Sequence, residues 1–149
     1  MTYGPTVNLV SGRLVVCYGN TCEIYREGSW EHLQNTTASR WRHSSVTIED
    51  AVLLIGGMES DSTEWIPVNG SAAHQGPFTV RHGRDHCTLQ ISDDIIVVTG
   101  GVNTDNYATQ YNLTDGTEIP LTPLLEQGRR THACGVYQNP DGQQVSKSL

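Results

Sequence analysis

Residues 43–57 read HSSVTIEDAVLLIGG, and residues 86–101 read HCTLQISDDIIVVTGG. The two stretches match element by element. Each opens on a histidine closely preceded by an arginine, in Arg42-His43 and in Arg84-Asp85-His86, and continues through SSVTI or CTLQI. An acidic turn follows, Glu49-Asp50 in one and Ser92-Asp93-Asp94 in the other. A second apolar run, AVLLI or IIVVT, then ends on a glycine pair, Gly56-Gly57 or Gly100-Gly101. Short runs rich in β-branched residues and bounded by Gly, Asn and Asp are strand signals, so each stretch reads as a β-hairpin.

Working outward, Arg130-Thr131-His132 opens a further copy, and the three histidines stand roughly 43 to 46 residues apart, near the blade periods of propellers. Upstream, TVNLV, the turn Ser11-Gly12, RLVVCY and Gly19 form a degenerate earlier copy. Gly19 lies as far before Gly57 as Pro5 does before His43. The second half of each unit repeats as well: CEIY and SWEHL in the first, TEWIPV and GPFTV around Asn69-Gly70 in the second, YATQYNL and TEIPL around Asp115-Gly116 in the third. Asn-Gly or Asp-Gly between such runs is a strong hairpin signal, which gives four strands per unit. No segment sustains a 3.6-residue apolar period; the nearest, Pro123 to Arg130, is short and carries Gly128 near its end.

At the paired glycines the sequence resembles the kelch repeat family. The matching residues are Gly56-Gly57, Gly100-Gly101 and the partial match Tyr18-Gly19, with Tyr25 and Trp30 in the first unit, Trp65 in the second and Tyr111 in the third. The Gly-His and Trp-Asp dipeptides of the other propeller family of similar period are absent. The resemblance implies an all-β fold, a kelch-type β-propeller of four-stranded antiparallel blades. Blade 1 is expected at about 6–35, blade 2 at about 43–80, blade 3 at about 86–122 and the start of blade 4 at about 130–145. Known propellers close with about four to eight blades, so the chain is expected to be a fragment. In the fourth unit Ser146-Lys147-Ser148-Leu149 stand where an apolar strand should be, which leaves the opening strand alone. Open blade edges would favour self-association.

Two sets of residues are singled out. His43, His86 and His132 recur with Gly56, Gly57, Gly100 and Gly101. They read as architecture: glycines where backbones crowd together, histidines as buried hydrogen-bonding groups joining blades. The second set follows from the resemblance, which implies that the loops after each Gly-Gly and those between blades gather on one face. These loops carry Met58 and Glu59, Asn103 and Asp105, then Arg40, Trp41 and Arg42, then Arg81, Arg84 and Arg129. Loops on a rigid scaffold carry binding, and Arg and aromatic residues anchor interfaces, so a noncatalytic module for a protein partner is expected. The alternative is part of a galactose-oxidase-like extracellular copper enzyme, or a carbohydrate-binding propeller; no residue here matches that copper site. No catalytic residue, metal or cofactor is assigned. His82, His86 and Cys87 have zinc-binding types but lack a second pair at finger spacing.

A formal charge of −7, with nine Lys and Arg forming no long basic run, disfavours nucleic acid as a partner. No apolar run approaches the length of a membrane span. Cys17 and Cys22 flank the short connection Tyr18 to Thr21, where a hairpin would set them opposite each other as a disulfide. Cys87 and Cys134 follow the repeating histidines by one and two residues, and strand alternation would face them apart. Three sequons, at Asn35, Asn69 and Asn112, suit a secreted protein. Met1 to Val10 does not read as a signal peptide. The balance favours an extracellular location over the cytoplasmic alternative.

Overall fold

A computed structural model describes residues 5–81, 83–104, 106–122, 126–128, 134–138 and 144–148, and every helix or strand among them is a strand. The first sheet holds β1 (Thr6–Val10), β2 (Arg13–Arg26) and β3 (Ser29–Arg40). The second holds β4 (Ser44–Ile48), β5 (Ala51–Ile55), β6 (Ser62–Pro67) and β7 (His74–Thr79). The third holds β8 (His86–Ser92), β9 (Ile95–Gly100), β10 (Ala108–Asn112) and β11 (Glu118–Pro120), and β12 (Cys134–Gln138) pairs with β13 (Gln144–Ser148) in the fourth. All pairings are antiparallel between strands consecutive in the chain.

The first sheet conceals a fourth leg. Residues five apart along an extended strand would lie about 17 Å apart, yet the Cα atoms of Cys17 and Cys22 are 4.2 Å apart and their sulfurs are bonded. β2 therefore doubles back around Gly19, whose φ of 54° lies in the left-handed region. The Trp41 ring sits so close that a Cβ on Gly19 would come within 3.0 Å of it. Its two legs pair with β1 and β3, respectively.

Packing explains the composition of the strands. β1 lies beside β4, β4 beside β8, and β8 beside β12, so the first strands of successive sheets are neighbours. Between the first two sheets Val10, Val15 and Ile24 meet Val52, Leu54 and Ile66. Between the second and third, Val46, Leu53 and Ile55 meet Ile96, Val98 and Tyr111, with the Tyr111 ring stacked on Phe78 at 4.4 Å. Alternate residues of β5 thus enter opposite cores. A strand buried on both faces reads as an unbroken apolar run, and AVLLI is such a run.

Several expectations need correction. The first sheet runs on to Arg40 rather than ending near residue 35. The strands around Asn69-Gly70 are separated by residues 68–73, so that dipeptide is not a two-residue turn. The last residues do not stop at an opening strand: Gln144–Ser148 pairs in full with β12, because ladder bonds are made by backbone groups and tolerate a polar run. Cys87 and Cys134 are bonded, with Cα atoms 6.0 Å apart. Within the strands Cys87 is the second residue of β8 and Cys134 the first of β12.

Candidate functional site

Each glycine pair ends a strand where another backbone approaches. Gly56 and Gly57 have φ of 60° and 128°, and a Cβ on Gly56 would lie 2.5 Å from the Gly83 carbonyl oxygen. That closeness joins two kinds of loop. Gly57 N–H donates to Gly83 O at 2.8 Å and Met58 N–H to Trp41 O at 2.8 Å. One unit later, Val102 N–H donates to Arg84 O at 3.0 Å. The connections after the glycines and those between sheets are therefore tied together at one end of the strands.

The residues proposed for that end fall into three groups. Met58, Glu59, Arg81 and Asn103 are exposed, and Trp41 and Arg84 are half-buried. Arg81 is 79% exposed while its Nε donates to Glu118 at 3.0 Å. Arg42 and Asp85 form a two-point ion pair between the connections that precede β4 and β8, with Nε to Oδ1 at 2.6 Å. Arg40 is placed inside: its side chain is 1% exposed, beside the fully buried Glu64. Its Nη1 donates to Gly56 O at 3.0 Å and Ser62 O at 2.7 Å, and its Nη2 to Ser62 Oγ at 2.7 Å. Glu64 also accepts from Thr37 N–H at 2.5 Å. With its donors engaged in this way, Arg40 secures the end of β3 and does not meet a partner. Asp105, Arg129 and His132 lie outside the described residues, as does His82.

His43 is buried, with Nε2 2.8 Å from Thr6 Oγ1 in the first sheet. Burial pushes its pKa down to about 4; the Arg40 charge adds to the fall and a bond to the Arg40 backbone opposes it. Such a ring stays neutral near pH 7 and joins sheets. His86 is likewise buried. Burial also drives the Tyr111 phenol up to about 12, helped by Glu118 and countered by Arg81 and Thr109. Cys87 offers no thiolate to a metal, because Cys134 holds it. Among the described residues, no three His, Cys, Asp or Glu side chains are grouped to hold an ion.

Two clefts formed by described residues lie at the other end of the strands. A cleft of about 440 Å³ opens between the second and third sheets, lined by Ile48, Glu49, Trp65, Gln90, Asp93, Asp94, Leu113 and Thr114. A neighbouring one of about 370 Å³ shares Ile48, Glu49 and Trp65 and extends to Asn69 and His74. The sequence reading missed both. The first takes its walls from the turns after β4 and β8, Trp65 of β6 and the two residues after β10, the second from the second sheet and its connections, and the repeated acidic turns were the available signal.

No family model and no curated protein matches the chain. Among solved structures it is similar to YjhT, with a TM-score of 0.77 over 89% of this chain and 54% of that one, at 11% sequence identity. The chain thus spans about half the length of that structure, and at this identity the likeness is one of fold alone.

Proposed function

We propose that the chain is part of a kelch-type β-propeller that binds a protein partner through the loops gathered at the glycine-pair end. The neighbouring first strands of successive sheets and the similarity to YjhT, a β-propeller, support the architecture. The observation that carries the function is the backbone bonding of the loops after the glycines to the loops between sheets, which makes one rigid platform from separate units. Exposed Met58, Glu59, Arg81 and Asn103 stand on it. Met and Arg are enriched in the contact patches of interfaces. The two cysteine pairs support an extracellular setting, since disulfides persist in oxidising compartments.

The test is capture of extracellular proteins on the immobilised, disulfide-intact chain, with Met58→Asp and Arg81→Glu as loop variants. Glu49→Lys, at the opposite end, is the control. A protein held by the parent and by Glu49→Lys but lost from both loop variants is expected. Equal retention by all four would overturn the reading.

A further inference from the structure

Asn69-Gly70-Ser71 spells the acceptor pattern for N-linked sugar, as do the segments that begin at Asn35 and Asn112. The fold treats the three asparagines differently. Asn35 lies inside β3, between Gln34 and Thr37, which bond to Pro67 and Glu64 of the second sheet. Asn112 ends β10 half-buried, and its Oδ1 accepts from Thr114 N–H at 2.8 Å and Asp115 N–H at 3.2 Å. Asn69 belongs to the connection between β6 and β7, where Asn69, Gly70 and Ser71 are all exposed. A Cβ on Gly70 would meet nothing within 4 Å, so there is open space beside the acceptor.

The surface next to Asn69 is shaped. Asn69 lines the cleft of about 370 Å³ together with Trp65, Pro67 and His74. Trp65 is half-buried and walls both this cleft and its neighbour. The face of a pyranose ring that bears its C–H groups is apolar and lies well on the negative face of an aromatic ring. The hydroxyls at its edge need polar partners, and Glu49 and His74 stand at the rim.

We infer that Asn69 carries an N-linked glycan whose first N-acetylglucosamine lies in this cleft against Trp65. In the transfer, Asn69 Nδ2 bonds to the anomeric carbon of a lipid-diphosphate-linked oligosaccharide. The bond from that carbon to the diphosphate breaks, the lipid diphosphate leaves, and Nδ2 gives up one proton to solvent. Bulky and solubilising, the sugar covers apolar surface at the end of the strands opposite the glycine pairs and leaves the loop platform open.

This rests on the extracellular setting proposed above, and the experiment separates the two. The chain is expressed behind an added leader through the secretory route of a eukaryotic cell, and the product is analysed by thiol labelling and glycopeptide mass. Sugar on the peptide that contains Asn69 is expected, with both disulfides formed, and Ser71→Ala is expected to abolish it. Thermal melts then read the contact with Trp65. Ser71→Ala is expected to lower the midpoint by about 2–4 °C in the parent, the size of one stacked ring contact, and to leave it unchanged in Trp65→Leu. Enzymatic trimming of the parent's glycan to its first sugar is expected to keep the midpoint. A secreted, disulfide-bonded chain with Asn69 bare overturns the proposal and leaves the extracellular setting standing. A chain retained in the cell with free thiols overturns the setting and the proposal with it. Sugar on Asn69 with equal Ser71→Ala shifts in both backgrounds, or a midpoint lost on trimming, also overturns the proposal, because the first sugar then does not lie on Trp65.

Discussion

Arg42 and Asp85 hold each other across the junction of the second and third sheets, twice through side chains and once through backbone. Arg42 Nε donates to Asp85 Oδ1 at 2.6 Å, Nη2 reaches Oδ2, and Asp85 N–H donates to the Arg42 carbonyl at 3.0 Å. Each stands one residue before a repeated histidine, with φ of 59° and 61°. Asp85→Asn keeps a residue that tolerates the left-handed region and removes the charge. It is expected to cost about 1.5–3 kcal/mol, the range for hydrogen bonds to charged groups. Urea unfolding of Arg42→Ala, Asp85→Asn and the double variant checks this; strictly additive losses would show that the pair is not coupled.

His43 gives stability a pH dependence. Folded, it stays neutral down to about pH 4. Unfolded, it takes up a proton near pH 6.5. Between those values the unfolded chain binds more protons, so stability falls as pH drops from about 6.5 to about 4 and then levels off. The full term is about 3 kcal/mol. His43→Gln retains a group able to bond Thr6 and does not titrate. The difference between the parent and this variant is therefore expected to shrink on acidification across that window, and a constant difference would refute the assignment.

At Gly56 two penalties coincide, a left-handed φ and a backbone oxygen 2.5 Å from where a Cβ would be. Gly56→Ala is expected to cost at least about 3 kcal/mol, as conformational strain plus overpacking. Gly12, with φ of 75° and nothing within 4 Å, isolates the first penalty. Gly12→Ala should cost about 1–2 kcal/mol. Thermal melts of the two variants would show equal shifts if crowding at Gly56 were unimportant.

What the sequence revealed and what it hid follow from the range of each interaction. Hairpins are local, and turns such as Ser11-Gly12 and Glu27-Gly28, with φ positive at both residues, are legible as dipeptides. Apolar runs such as AVLLI announce burial on both faces. Arg40 was misplaced because an arginine usually marks surface, and the Glu64 that admits it to the interior lies 24 residues on. The cleft between the second and third sheets was not read from the sequence because its walls come from segments about 40 residues apart, and the acidic turns that line it showed only as a repeat.

The two disulfides are expected to differ in worth. Cys17 and Cys22 are five residues apart, Cys87 and Cys134 forty-seven. A cross-link that closes a longer loop removes more freedom from the unfolded chain; loop-closure arithmetic gives about 2 kcal/mol for the short loop and about 4 for the long one. The short one also sits in the core, where both sulfurs are buried, while Cys87 and Cys134 are half-buried. Reductant should therefore open the long link first. The Cys87→Ser/Cys134→Ser chain should lose more stability than a Cys17→Ala/Cys22→Ala chain, in which alanine preserves the apolar surroundings. Timed thiol labelling with mass mapping orders the two reductions, and denaturant midpoints order the two losses. If removing the short link cost more, burial in the core rather than loop length would set the worth of a cross-link in this fold; if the short link opened first, burial would not set the order of reduction.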